Sequence, residues 1–274
     1  MNFRPYLITS FCAMSAIALA SCSPNAATST GMVETSSPSA TNEVANNVAN
    51  DVANSATNNV TPAAASTLVV AKPDAKNAPD ERYKLSVTPP NYPPALSAAL
   101  AKVAVPRPLI ATKVPNIARV RLETSKGNIE VQLNGKAAPL HVKSFLYLSG
   151  RGFYNGTKFH RYEPGFVIQG GDPLTKNAAT AEFAGTGGPG YEVPREYNSL
   201  KHDVMVLAAA RSADPNSAGS QFYFTLINVP FLDKEQAQDG VGYTVYGKVL
   251  KGKDVVMKLR ADDVLKKVVI LSPK

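Results

Sequence analysis

The stretch Lys158–Phe159–His160–Arg161–Tyr162–Glu163–Pro164–Gly165–Phe166–Val167–Ile168–Gln169–Gly170–Gly171–Asp172 decides the fold. Arg161 sits in a strand-like run among apolar neighbours, where an arginine is expensive unless it is used. A second dense block is Asp214–Pro215–Asn216–Ser217–Ala218–Gly219–Ser220–Gln221–Phe222–Tyr223–Phe224. Working outward, Val120 and Leu122, then Ile129, Val131 and Leu133, alternate with polar residues across Ser125–Lys126–Gly127, which predicts a hairpin. Further short apolar runs are Phe166–Gln169, Val204–Ala209, Phe222–Leu226, Thr244–Val249 and Val264–Leu271. Pro139 to Leu148 predicts a helix, with proline at its start and Gly150 past its end. Gly252 to Arg260 predicts a second. Many short strands with Gly- and Pro-rich loops point to a mainly β barrel or sandwich.

The two quoted blocks resemble the two signatures of the cyclophilins, a family of peptidyl-prolyl cis-trans isomerases, in their order and separation. The resemblance spans roughly Ile117 to Leu271. It implies a closed eight-stranded antiparallel barrel flanked by two helices, a closure that removes exposed strand edges. It also implies the site. Arg161 corresponds to the catalytic arginine, and Gln169 to a residue that holds the substrate backbone. Phe166, Val167, Tyr223 and Leu232 map onto the proline pocket. Ala210, Asn216 and Gln221 map onto the neighbouring groove, and Phe231 and Tyr243 onto two further aromatic pocket positions.

The chemistry such a site performs is rotation about an X–Pro bond, opposed by a barrier of ~18–20 kcal/mol. Free exchange takes about 10–100 s. Reaching milliseconds needs about 5–7 kcal/mol. No bond forms or breaks, so neither cofactor nor metal is implied. An apolar groove and a fixed donor suffice. The planar, charged guanidinium of Arg161 would donate to the prolyl nitrogen, whose lone pair localises only as resonance is lost.

Several positions depart from the family's usual residues. Phe231 stands where tryptophan is frequent, and the chain has no Trp. Some bacterial members share that phenylalanine and bind cyclosporin weakly. Tyr243 replaces a common histidine, Tyr223 a phenylalanine and Val167 a methionine. Met205 stands where glycine is common, and Ala209 where methionine is usual.

The N-terminus reads differently. Met1 to Ser21 has one early cation, Arg4, and an apolar run, Phe11 to Ala20, too short for a membrane span. It is read as a secretory signal. Leu19–Ala20–Ser21–Cys22 resembles a bacterial lipobox, which implies a diacylglycerol on Cys22. The alternative is an ordinary signal peptide with an incidental cysteine. Cys12 would be removed with the signal, leaving no thiol for a disulfide or metal site. Residues 22–80 form a tether. Within it, residues 25–66 are rich in Asn, Ala, Ser, Thr and Val, with an imperfect Val-Ala-Asn repeat and no aromatic residue. Such a segment cannot bury enough apolar area to offset chain entropy and is expected to be disordered.

Residues 81–116 are a Pro-rich arm that also carries Tyr83, Leu85, Tyr92, Leu96, Leu100 and Ile110. A short helix over Pro93 to Val103 is expected. The arm either lies on the main domain or is a stiff spacer; the sequence favours neither. Residues 117–274 are the isomerase-like domain.

Net charge is +8, with −3 in residues 22–80 and +10 in residues 81–274. No run of like charge is longer than Lys266–Lys267, so a scattered basic surface is expected. Neither nucleic acid nor nucleotide is an expected partner. Gly185–Thr186–Gly187–Gly188–Pro189–Gly190 fits G-x-G-x-x-G, but Pro189 and Tyr191–Glu192–Val193–Pro194 forbid the helix that a dinucleotide site requires. His141, His160 and His202 lack zinc-site spacing. His160 is read as a hydrogen-bonded structural residue. No G-x-S-x-G elbow exists.

The expectation is therefore a monomeric envelope lipoprotein, anchored through Cys22 and facing the periplasm, with Ser23 pointing to the outer membrane. It would isomerise proline-containing segments of exported proteins. The rival is a non-catalytic proline-peptide-binding chaperone module.

Overall fold

The computed structural model describes residues 78–86, 92–109 and 111–272. The expected signal peptide, Cys22 and nearly all of the tether lie outside the described residues.

Strand β1 (Lys84–Leu85) and helix α1 (Pro94–Val103) belong to the arm. The main domain opens with β2 (Ile117–Thr124) and β3 (Gly127–Asn134), the predicted hairpin. Thr124 Oγ1 donates to Gly127 O at 2.7 Å and accepts from Lys126 N at 3.1 Å, which fixes the turn. Their inward residues Val120, Leu122, Ile129, Val131 and Leu133 are fully buried, as period-2 alternation requires. Helix α2 (Pro139–Gly150) follows. Then come β4 (Thr157–Lys158), β5 (Arg161–Glu163), β6 (Val167–Gly170), β7 (Tyr191–Glu192), β8 (Val206–Ala209) and β9 (Phe222–Thr225). Strand β10 (Val245–Lys251), helix α3 (Lys253–Lys258) and β11 (Val264–Ser272) end the described chain. A Cβ at Gly252, where φ is +82°, would overlap Asn128 O, so only glycine allows the turn from β10 into α3.

The main sheet is antiparallel and runs β4-β11-β2-β3-β10-β8-β9-β6-β5. This corrects the expected closed eight-stranded barrel: nine strands form a curled sheet whose ladder stays open. The reason lies in the stretch that decided the fold. Its two edge strands, β4 and β5, are successive pieces of one chain segment, interrupted at Phe159–His160. On one side Phe159 N donates to Asp263 O (2.9 Å), and on the other His160 N donates to Gln169 O (3.0 Å). The segment changes partner there, and between β4 and the residues after β6 only a single bridge forms, Lys158↔Asp172.

Helix α2 buries more than one stripe. Phe145 and Leu148 face the core, yet His141, Lys143, Ser144 and Ser149 are also buried. The arm and the segment around β7 cover that second side. Lys143 Nζ lies 2.9 Å from Asp80 Oδ2, and both side chains are at most 3% exposed. The Tyr83 hydroxyl donates to Leu140 O at 2.8 Å. Ala138 provides no side-chain cap; the Glu196 carboxylate accepts from Leu140 N (2.8 Å) and His141 N (2.9 Å), satisfying orphan donors at the helix start. Of the two readings of the arm, the structure shows it on the main domain. Its contacts begin at Pro79 and Asp80, just ahead of residue 81.

Met205 adopts φ +67°, a left-handed conformation that costs a non-glycine residue on the order of 1–3 kcal/mol. The Met205 side chain is buried in the main core, which offsets the strain.

Candidate functional site

Strand alternation gives the curled sheet two buried faces. Ile168, Leu207, Phe222, Phe224 and Tyr246 point into the main core. Val167, Val206, Ala208, Tyr223 and Val245 point the other way and join Val229 and Leu232 in a second, smaller apolar cluster. Phe166, Leu200, Ala210 and Tyr243 pack on its rim, partly buried.

The predicted pocket residues Phe166, Val167, Ala210, Tyr223, Leu232 and Tyr243 thus fall in one cluster. Phe231 stacks on Phe166 with ring centroids 5.7 Å apart and stays 47% exposed, so the pair forms an open aromatic rim. The Tyr243 ring meets Tyr223 edge-on at 6.2 Å and lies under the Arg211 guanidinium at 4.3 Å. Arg211 in turn donates to Gly242 O and pairs with Asp239.

The polar side of the site is set by register. Arg161 on β5 lies opposite Gln169 on β6, Gln169 opposite Tyr223 on β9, and Tyr223 opposite Ala208 on β8. Directly opposed residues on neighbouring strands share a face. This row places Arg161 beside Gln169 at the edge of the apolar floor. Arg161 Nε is 3.4 Å from Glu163 Oε1, two residues along the same strand. Gln169 Nε2 donates to Gln221 Oε1 at 2.9 Å. Gln221 Nε2 donates to Gly185 O (2.9 Å) and Gly187 O (2.8 Å). The Gly-rich loop is held from within by Asp172, whose Oδ2 accepts from Gly185 N (2.6 Å) and Gly187 N (2.9 Å). A Cβ on Gly187 would overlap Asp172 Oδ1, which accounts for that glycine. The loop leads into β7 and not into a helix.

Asn216 sits in the 212–217 turn, where its Oδ1 accepts from Arg195 N at 3.3 Å. His160 is buried, and that burial lowers its pKa, favouring the neutral ring.

Sequence reasoning missed the groups behind the pocket. The Tyr223 hydroxyl lies 2.9 Å from His202 Nε2, and His202 Nδ1 lies 2.7 Å from Asp233 Oδ1. Burial raises the tyrosine pKa well above its ordinary value and lowers that of His202. The consistent assignment is a neutral imidazole that donates through Nδ1 to Asp233 and accepts at Nε2 a hydrogen bond from the tyrosine hydroxyl. The extra hydroxyl of Tyr223 therefore points away from the pocket, and the ring alone faces it. Only the proximity of His202 and Asp233 in the fold reveals this.

Comparisons with known proteins agree with the geometry. A model of the family described as cyclophilin type peptidyl-prolyl cis-trans isomerase/CLD matches residues 119–273. A peptidyl-prolyl cis-trans isomerase of Helicobacter pylori is 37% identical over 155 residues, covering 55% of this chain and 85% of that protein. One of Acinetobacter baylyi is 39% identical over 141 residues, covering 51% and 70%. The crystal structure of a cyclophilin type peptidyl-prolyl cis-trans isomerase of Cryptosporidium parvum matches with a TM-score of 0.50 at 30% identity, covering 58% of this chain and 99% of that one. The chain belongs to the cyclophilin-type peptidyl-prolyl cis-trans isomerase family.

Proposed function

We propose that this isomerase acts on proline-containing segments of exported proteins in the bacterial envelope, as a monomer. The observation that carries the catalytic reading is the cross-strand row that sets Arg161 and Gln169 beside the floor of Val167, Tyr223 and Leu232. The floor takes the proline ring and removes it from water. Gln169 and Gln221 orient the flanking backbone. Arg161 donates to the prolyl nitrogen as it pyramidalises, an interaction stronger in the transition state than in the ground state. The Tyr223 hydroxyl does not enter the pocket, so the wall remains a plain aromatic face. That favours turnover over mere binding. Phe231 lacks an indole donor, so cyclosporin is expected to bind weakly and Phe231→Trp to tighten it, as titration would show.

The envelope assignment rests on the sequence of residues 1–66. A lipid on Cys22 would tie the domain to a membrane through the low-complexity residues 25–66. The domain would then sample clients near the membrane, with Ser23 after the cysteine favouring the outer one.

Two experiments test these readings. Isomerisation of a proline tetrapeptide should be accelerated by the protein; a rate at background level would favour the proline-peptide-binding chaperone module instead. Cys22→Ser should release the protein from membranes or leave it unprocessed. Native protein found wholly soluble, with no lipid on Cys22 by mass spectrometry, would remove the anchor.

A further inference from the structure

We infer that the arm is a positioning segment of the substrate groove: residues 79–86 and 104–109 hold the Gly-rich loop whose carbonyls set Gln221 and, through it, Gln169. The inference rests on the reading of Arg161, Gln169 and Gln221 as the substrate groove.

The arm is fastened to the domain at points remote from the groove. Asp80 receives Arg82 through two contacts, Nε at 2.9 Å and a terminal nitrogen at 2.6 Å, together with buried Lys143 Nζ at 2.9 Å. These partners, Arg82 foremost, hold its carboxyl far below the usual carboxylate range. Tyr83 is fully buried in the main core and meets Tyr191 edge-on, with centroids 5.5 Å apart. Arg107 donates to Tyr83 O at 2.9 Å, linking the two ends of the arm. A segment held in this way has a fixed position from which to hold something else.

What it holds is the loop. Strand β1 pairs with β7 in the register Lys84↔Glu192 and Leu85↔Tyr191. Ser86 N donates to Gly190 O at 3.1 Å, and Val105 N donates to Pro189 O at 2.8 Å. A Cβ on Gly190 would lie 2.7 Å from the Cβ of Ala104, so loop and arm backbone are in close approach. Two and four residues before Pro189, the same loop presents the carbonyls of Gly187 and Gly185 to Gln221.

The amide of Gln221 has one acceptor oxygen and two N–H donors. The oxygen takes Gln169, and the nitrogen serves the two loop carbonyls, with the Asp172 carboxylate a longer contact at 3.4 Å. Its orientation is therefore set chiefly by the loop. Asp172 fixes the loop at its start and the arm fixes it at its end. If the arm loosens, the carbonyls move, and Gln221 and Gln169 lose their setting. Arg161 belongs to β5 and reaches the row from the other side, so its own position does not depend on this path. A positioning role in binding should thus raise KM and spare kcat.

The test uses the full chain carrying Asp80→Ala or Ser86→Pro. The first takes away the carboxylate that anchors the arm. The second removes one exposed backbone donor to Gly190 O and is the variant to rely on if the first does not fold. The expected result is a three- to tenfold rise in KM for a proline tetrapeptide, with kcat within twofold of wild type. Hydrogen exchange at the Gly185 and Gly187 amides should be at least tenfold faster. An arm that only covered helix α2 would lower the melting temperature and move neither quantity. Folded variants with wild-type KM and wild-type exchange at both glycines would overturn the inference. Arg161→Ala is the reference. If it leaves kcat intact, the reading of the site has failed; if it removes kcat while the arm variants match wild type, the arm proposal alone has failed.

Discussion

The two faces of β6, β8, β9 and β10 are both buried and both apolar, yet they do different things. The inner face, with Ile168, Leu207, Phe222 and Phe224, packs against helix α2 and the far side of the curled sheet. Phe222 alone lies within ring contact of Phe145, Tyr154, Phe159 and Phe224. The outer face, with Val167, Val206, Ala208 and Tyr223, packs with Val229 and with Leu232 of the short helical turn Pro230–Leu232, and its rim opens at Phe166 and Phe231. An interior must be filled by its own side chains to native density. On the proposed reading a ligand completes the outer face at its rim, so that neighbouring residues of one strand would have opposite roles, one in stability and one in recognition.

That contrast is open to breakage by substitution. Phe222→Ala should have the largest effect, about 3–5 kcal/mol of stability, read from urea unfolding, while the remaining native protein keeps its kcat/KM. A comparable fall in kcat/KM per native molecule would show that the two faces are not separable. Arg161→Ala should do the reverse. It should lower kcat/KM by about 10²–10³, the cost typical of one preorganised donor, with an unchanged melting temperature. Arg161→Lys should also be poor, because a point charge does not reproduce the planar fork.

Tyr223→Phe sharpens the comparison, since its ring belongs to the pocket and its hydroxyl to a buried network. Removing the hydroxyl leaves His202 Nε2 without its partner, at about 1–3 kcal/mol of stability. The change in kcat/KM should be smaller than for Arg161→Ala.

The smallest expected effect is on pH. Burial lowers the pKa of His202 and of His160 below the ordinary value of about 6.5. Below that pH the unfolded chain binds protons that the folded protein does not. Stability should therefore be greatest above about pH 6.5 and decline as pH falls toward the folded-state values. Urea midpoints at two pH values on either side of 6.5 would show the slope, and His202→Gln should reduce it. Asp80 acts in a separate, lower window. Its folded pKa is depressed, so its contribution is complete above about pH 4 and is lost as pH falls further.

Much of this was legible in the chain. The hairpin over 117–134, helices α1, α2 and α3, and strands β6, β8, β9, β10 and β11 follow from alternation, proline starts and glycine stops, which are local signals. The residues that gather in the second apolar cluster were picked out through the resemblance, and Arg161 also through the expense of an arginine among apolar neighbours. The buried chain from Tyr223 through His202 to Asp233 was not, because its contacts join segments that are apart in sequence.

By itself the sequence determined the strands, their inward and outward alternation, the two functional blocks and the family. These depend on residues close together in the chain. Tertiary structure alone decided the rest. It broke the edge strand at Phe159–His160 and so left the ladder open. It laid the arm over helix α2 with Asp80 on Lys143, sixty-three positions apart, and it turned the Tyr223 hydroxyl onto His202. Each of these is a pairing of buried polar groups between distant segments. Such groups must find partners once water is removed, and which partners they find is set by where the folded chain brings them.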